Sequence, residues 1–219
     1  MEIGSVAAAN IATSIGETLN HLHNQLTVLD DILESTQKSG KTGQLLELSF
    51  KKLQVAREVT VFDARGLVAN IGAPQLSKPL EKDEAKAILE VLEKRPGKFL
   101  LRTGGYILTA IDSRLYRILL VDDFFKDSFA AARALSVALI SSRGEILARN
   151  SEALMAVGIV QSLNLREKQA VVAQEAELSD GVGVLAAAAP LPYAEEIAVV
   201  VQAPRTQVSA MVAQILRKS

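Results

Sequence analysis

Apolar residues near the start of the chain recur at alternating spacings of four and three. The residues that follow this rule, called the seam below, are Ile15, Leu19, Leu22, Leu26, Leu29 and Leu33. Such spacing, about 3.5 residues on average, is typical of a long helix with a narrow apolar stripe. A stripe of this kind packs either on the chain's own domain or on a copy of the same helix, and the pattern fits both.

A second pattern, two short apolar runs joined by a turn, occurs twice. Val59–Asn70 contains strand-like runs on either side of a turn that ends in Gly66, which predicts a β-hairpin. Val137–Asn150 repeats the pattern, with Gly144 standing 78 residues after Gly66. Glycine suits both turns because it adopts a positive φ without steric cost. A long apolar run follows each hairpin at a similar distance, so we predict two copies of one unit.

The remaining elements complete these two units. In the first unit the pattern predicts a helix, a loop, a second helix and three strands: Gln44–Val55, Ala73–Pro79, Lys82–Lys94, Phe99–Arg102, Tyr106–Ile111 and Leu115–Val121. In and after the second unit it predicts three helices, two strands and a final helix: Asp127–Leu135, Glu152–Leu163, Arg166–Glu175, Val182–Ala189, Ile197–Val201 and Arg205–Arg217. This order favours an α+β fold in which each unit is a five-stranded antiparallel sheet with helices on one side.

Composition and charge exclude several classes of function. The chain has 24 basic and 25 acidic residues, so no basic surface points to a nucleic acid, and it has no cysteine for a disulfide or a thiolate site. His21 and His23 stand two apart on the predicted helix and face different sides, so they cannot hold one metal ion together. No nucleophile with a base and no phosphate-binding glycine loop is found. We therefore expect a chain that is not an enzyme and has no cofactor and no metal.

The order of elements resembles the double Cache family of PAS-like sensor domains from bacterial membrane receptors. Two stretches carry the resemblance: Val61–Val68, which is similar to the family's Asp-x-x-Gly turn, and the strand that ends in Leu-Leu-Val-Asp-Asp at Asp123. The resemblance to the family extends from about Gly16 to Arg217. The resemblance implies residues 6–55 as an N-terminal helical stalk, 56–126 as a membrane-distal unit, 127–204 as a membrane-proximal unit and 205–219 as an exit helix.

The same resemblance implies a function. The chain would be the periplasmic sensing part of an inner-membrane receptor, with membrane spans on both sides of this fragment and a histidine kinase as the cytoplasmic output. A diguanylate cyclase or a chemoreceptor is the alternative output. A cytosolic regulatory platform of the roadblock or longin kind has similar elements and stays open as a different class.

Two interaction sites follow as expectations. The aromatic, arginine and aspartate set with which some family members bind amino acids is not recognisable here, so that ligand is not carried over. Polar residues near the strands of the first unit are instead the candidate site for a small anionic ligand or a protein partner: Arg102, Tyr106, Asp112, Arg114 and Asp122. We also expect a homodimer that forms through the seam, because a parallel twin would cover the stripe by symmetry.

Overall fold

The computed structural model describes residues 2–39, 47, 49–51, 53–72, 80–130, 132, 135–163, 165 and 171–207. The first half contains a long helix, five strands and a second helix: α1 Glu2–Ser39, β1 Ala56–Asp63, β2 Gly66–Gly72, α2 Lys82–Glu93, β3 Phe99–Arg102, β4 Tyr106–Ile111 and β5 Arg114–Leu120. The second half contains a short helix, five strands and a 3₁₀ helix: α3 Lys126–Ala130, β6 Ser136–Ser141, β7 Ile146–Arg149, the 3₁₀ helix Val157–Ser162, β8 Val172–Glu177, β9 Gly183–Pro190 and β10 Ile197–Pro204.

The strands form two sheets with the same topology. Their orders are β2-β1-β5-β4-β3 and β7-β6-β10-β9-β8, and every neighbouring pair is antiparallel. Gly66 and Gly144 both lie in the hairpin turn after the first strand of their sheet, each with a positive φ. Asp63 accepts hydrogen bonds from the turn in the first hairpin, and Ser141 does so in the second. The predicted repeat and the α+β fold are therefore confirmed.

The chain forms two compact units. The first-sheet unit is Glu17–Phe124, and the second-sheet unit combines Met1–Gly16 with Phe125–Ser219. Helix α1 thus contributes its C-terminal part to the first-sheet unit and its N-terminal part to the second. The boundaries expected from the sequence, with residues 6–55 as a separate stalk, remain a prediction.

Each sheet has one face covered by a short helical element. Helix α2 packs Ala85, Leu89 and Leu92 on a core formed by the first sheet's Phe62 and Leu115 and their neighbours. The 3₁₀ helix, with the segment before it, packs on an alanine-rich part of the second sheet, where β9 supplies Ala186 and Ala188: the other buried residues are Ala138, Ile140, Met155, Ala156, Ile159, Val160, Leu163, Val184, Ala198 and Val200.

The long N-terminal helix predicted from the seam is confirmed, and it is longer than the seam itself. All six seam residues are at most 2% exposed in the single chain. Burial of the stripe therefore needs no second copy, and the argument that an exposed stripe would be wasted in a monomer no longer applies. The homodimer remains a prediction.

Several predicted elements need correction. The helix predicted over Arg166–Glu175 is wrong at its end, because Val172–Glu177 is the edge strand β8 and pairs with β9. Alanine, glutamine and glutamate favour a helix locally, but pairing with a neighbouring strand outweighs that weak preference. The helix predicted over Glu152–Leu163 is only the 3₁₀ helix, and the helix predicted over Asp127–Leu135 ends at Ala130.

Other predictions fall on residues outside the described part of the chain. These are residues 44–46, 48 and 52 of the Gln44–Val55 helix, the Ala73–Pro79 loop, residues 166–170 and residues 208–219 of the exit helix. Of the rest of the Gln44–Val55 prediction, residues 47 and 49–51 are helical, whereas residues 53–55 are not. At the start of the exit helix, Arg205–Gln207 are helical.

Candidate functional site

The face of the first sheet that α2 partly covers also carries polar side chains. Side chains alternate between the two faces of a strand, so Thr60 lies on the same face as Phe62, which packs under α2. Arg117 stands directly opposite Thr60 on β5. Tyr106 and Glu58 both stand opposite Leu119, the next residue of that face. Glu58, Thr60, Tyr106 and Arg117 therefore share one end of this face and are called the polar cluster below.

The polar cluster contains two contacts among its own side chains. Glu58 is 3% exposed and Thr60 is 5% exposed, and the Thr60 hydroxyl donates a hydrogen bond of 3.0 Å to Glu58 Oε1. The guanidinium carbon of Arg117 lies 4.2 Å from the centre of the Tyr106 ring, which is a cation–π contact. This end of the face therefore carries a carboxylate beside a hydroxyl and a planar guanidinium beside an aromatic ring. The guanidinium binds carboxylates in a bidentate manner, and the carboxylate accepts hydrogen bonds from ammonium or hydroxyl groups.

The second sheet has the same topology but no polar cluster at the equivalent positions. Ala138 stands opposite Val200 there, just as Thr60 stands opposite Arg117 in the first sheet. The strand registers make Ser136, Ala138, Ala186 and Val200 the residues equivalent to Glu58, Thr60, Tyr106 and Arg117. None of the four is charged, so the sheet itself does not require the polar cluster.

One buried polar side chain on this face of the second sheet has a structural role. Gln202 donates a hydrogen bond to the Leu154 carbonyl and accepts one of 2.8 Å from the Ala156 amide. It thereby fixes the segment that leads into the 3₁₀ helix. Both of these hydrogen bonds are made to the chain's own backbone.

The five site residues predicted from the sequence do not come together. Tyr106 belongs to the polar cluster, and Arg102 stands opposite it at the exposed end of β3. Asp112 lies in the turn between β4 and β5, with a φ of 49°. Asp122 forms a surface ion pair with Arg57, while Arg114 contacts α1 from the other face of the sheet.

Sequence reasoning missed three members of the cluster, Glu58, Thr60 and Arg117. A signal for them exists, because Glu58 and Thr60 alternate with the buried Val59 and Val61. Arg117 likewise interrupts an apolar strand. A polar residue at every second position of a strand otherwise rich in apolar residues marks one polar face.

The opposite face of the first sheet packs on α1 through a buried ion pair. Asp30 is 2% exposed, and both of its carboxylate oxygens accept a hydrogen bond of 2.9 Å from Arg114 Nη1. The Tyr116 hydroxyl donates a third hydrogen bond, of 2.5 Å, to Asp30 Oδ1. We call these three residues the Asp30 triad. Burial, the hydrogen bond and the charge of Asp30 raise the pKa of Tyr116 far above its ordinary value, so the phenol remains a donor.

His23 is a second polar group between α1 and this face. Its ring meets Phe99 edge to face, with 6.1 Å between the ring centres. Its Nδ1 is buried and has no hydrogen-bond partner among the described residues. Burial lowers the pKa of His23 below the ordinary value of 6.5. Within the described ranges no three His, Cys, Asp or Glu side chains are grouped closely enough to hold a metal ion.

Comparison with known proteins gives a likeness of fold. No protein-family model matches the chain. No curated protein matches it at a significant level. Among solved structures, the extracellular domain of soHK1S-Z6, a protein assigned as a histidine kinase, has a TM-score of 0.57 at 12% identity, over 96% of each chain. The ligand-binding domain of the amino-acid chemoreceptor PctB from Pseudomonas aeruginosa PAO1, solved with L-Arg, has a TM-score of 0.54 at 12% identity, over 100% of this chain and 91% of that one.

An extracellular ligand-binding receptor from Desulfohalobium retbaense DSM5692 is also similar, with a TM-score of 0.52 at 14% identity over 88% of this chain. This chain spans 39% of the length of that receptor. The chain has the fold of these receptor sensor domains. The double Cache-like architecture expected from the resemblance is thereby confirmed. Among the described helices, none combines the length and the apolar character that a membrane span requires.

Proposed function

We propose that the chain is the extracytoplasmic sensing domain of a bacterial membrane receptor and is itself not catalytic. The fold matches such domains over nearly the whole chain. Its terminal helices would connect to membrane spans outside this fragment, and the cytoplasmic output would be a histidine kinase. Two of the similar structures belong to proteins assigned as histidine kinases, and the likeness to a chemoreceptor domain makes that output the second candidate.

The polar cluster is the observation that carries the sensing role. It places a carboxylate and a guanidinium on the face that α2 partly covers, in one of two sheets of the same topology. A charge buried at a sheet surface costs free energy unless it is paired. The second sheet has Ser136 and Val200 at the positions equivalent to Glu58 and Arg117, so the fold does not need these charges, and they suit a binding site better than a core.

The chemistry of the cluster indicates a small carboxylate as the ligand. Arg117 would bind the carboxylate through its planar fork. Tyr106, which already contacts Arg117, would limit the rotation of the guanidinium. Glu58 and Thr60 would accept or donate hydrogen bonds to an ammonium or hydroxyl group on the same molecule. This proposal keeps Tyr106 and replaces the charged residues expected from the sequence, which were Arg102, Asp112, Arg114 and Asp122, with Arg117 and Glu58.

Thermal-shift screening of the fragment against small mono- and dicarboxylates, hydroxy acids and amino acids tests the proposal. A compound that raises the melting temperature should then be titrated by calorimetry into the wild type and into Glu58→Ser with Arg117→Val. This double variant installs the residues that the second sheet carries at the equivalent positions, Ser136 and Val200. We expect it to fold normally and to lose binding by at least about 100-fold, because a charge-assisted bidentate pair is lost.

Arg143→Ala is the matched control, because it removes an exposed arginine from the hairpin turn of the other sheet. It should leave affinity unchanged. Equal affinity of the double variant and the wild type would remove the polar cluster as the site. If no carboxylate in the panel shifts the melting temperature, the ligand class is wrong and a protein partner becomes the leading alternative.

A further inference from the structure

The leucines of α1 do not by themselves fix where the helix lies along the first sheet. Leu19, Leu22, Leu26, Leu29 and Leu33 follow one another at intervals of three or four residues, which is about one helical turn. A shift of α1 by one turn along its axis therefore brings each leucine close to the place of the next. A regular apolar stripe is nearly degenerate in register, as in coiled coils, where a single polar core residue removes the degeneracy.

Asp30 breaks this regularity. It is the one charged residue of α1 that is buried among the described residues, and it lies beside Leu29 in the leucine ladder. Its partners, Arg114 and Tyr116, both lie on β5, two residues apart on the same face. A shift of one turn, about 5.4 Å, would carry the carboxylate out of hydrogen-bonding reach of both. The Asp30 triad thus distinguishes between registers that the leucines leave nearly equal in free energy.

The folded chain does not need the Asp30 triad for its free energy of unfolding. Replacement of a buried ion pair by apolar residues of similar volume is often neutral or stabilising, whereas removal of one partner is strongly unfavourable. The second sheet supports this view, because Ile197 and Val199 stand at the positions equivalent to Arg114 and Tyr116. The same sheet topology therefore forms without a polar contact at these positions.

We propose that the Asp30 triad is the determinant that holds α1 in one axial register on the first sheet. Without it, α1 has a second register, displaced by about one helical turn. This inference goes beyond the proposed sensing function and does not depend on a ligand. It assigns Asp30, Arg114 and Tyr116 a positioning role, in place of the ligand-binding role expected for Arg114.

Distance measurement between spin labels tests the proposal, and the absence of native cysteines leaves no background labelling. Helix α1 runs across the strands from β3, where His23 meets Phe99, to β5, where Asp30 meets Tyr116. Labels are placed at Asn24→Cys on the exposed side of α1 and at Asn70→Cys, an exposed position of the edge strand β2 that lies further along this direction. The wild-type background should give one distance population. The triple variant Asp30→Leu, Arg114→Met, Tyr116→Phe should remain folded and give a second population, displaced by about 5 Å. A single population at the wild-type distance would overturn the proposal.

Two further variants keep the result interpretable. Asp31→Asn removes an exposed carboxylate from the neighbouring position and should keep the wild-type distribution. If circular dichroism shows that the triple variant does not fold, Asp30→Leu with Arg114→Met removes the ion pair and leaves Tyr116 in place. It should also show the second population, and a wild-type distribution there would likewise overturn the proposal. Because no ligand is added, the sensing proposal can fail while this one holds, and the reverse is also true.

Discussion

The two sheets of this protein have the same strand order and equivalent hairpin turns, yet they differ on the face beneath their helical cover. In the first sheet that face carries Glu58 and Arg117, and in the second it carries Ser136 and Val200. The shared features are those that backbone pairing and apolar alternation require. The unshared charges are therefore separable from the fold, which makes the second sheet an internal control for the first.

The two parts of α1 differ in a similar way. Near its N-terminus, small residues allow close approach: the Cβ of an alanine at Gly4 would lie 3.5 Å from Ala187, and one at Gly16 would lie 2.8 Å from Pro192. Further along, the helix presents leucines and Asp30. Close backbone approach fixes the axial position of a helix, because a shifted helix would clash. Leucines of equal size do not fix it, because one leucine can take the place of the next. This difference explains why a polar contact is found in the leucine part.

The largest expected effect comes from charges placed in the seam. Leu22→Asp with Leu26→Asp should unfold the first-sheet unit, because two unpaired carboxylates would have to be buried, each at a cost of several kcal/mol against a total stability of about 5–15 kcal/mol. Urea denaturation followed by circular dichroism measures this. Asn24→Asp with Val28→Asp, at exposed positions of the same helix, should have little effect. A double seam variant that stays folded but sediments as a monomer, where the wild type is a dimer, would instead place the seam between two copies.

An exchange of residues between the sheets should have unequal effects. Val200→Arg puts a charge on a fully buried apolar face and should lower the free energy of unfolding by about 3 kcal/mol or more. The opposite exchange, Glu58→Ser with Arg117→Val, should change it by no more than about 1 kcal/mol, because it leaves neither charge on this face and installs residues that the second sheet already accepts at these positions. Chemical denaturation of the two variants beside the wild type gives the comparison. Equal losses would mean that the polar cluster is a structural part of the first sheet.

The smallest expected effect is a dependence of stability on pH at His23. Its folded-state pKa is below 6.5, so the unfolded chain takes up the proton first as the pH falls. The contribution of neutral His23 to the free energy of unfolding is fully present above pH 6.5. It is lost as the pH falls from 6.5 to the lower folded-state pKa. His23→Gln should therefore weaken the acid sensitivity of the melting temperature. His21→Gln, at an exposed position two residues away, should leave it unchanged, and an equal effect of both would refute the assignment.

Local patterns in the sequence were sufficient for much of the fold. Helix α1, both hairpins and strands β3 to β5 follow from periodicity and turn residues, which act over a few positions. Strand β8 could not be predicted in this way, because its pairing with β9 determines its conformation and its own residues do not. The site was harder. Only the packed structure shows that α2 covers the face of Arg117, and that Arg114 meets an aspartate 84 residues earlier in the chain.

Strand β5 has a consequence for energetics that concerns both of its faces. Arg117 belongs to the proposed ligand site, while Arg114 and Tyr116 hold α1 from the other side, and all three are joined by a few peptide units. A ligand whose affinity differs between two registers of α1 must, by thermodynamic linkage, change the balance between those registers by the same factor. The relation is reciprocal: a restraint that favours one register of α1 changes the affinity for the ligand. If the chain belongs to a membrane receptor, as proposed, affinities measured with α1 free and with α1 anchored should therefore differ by at most that factor.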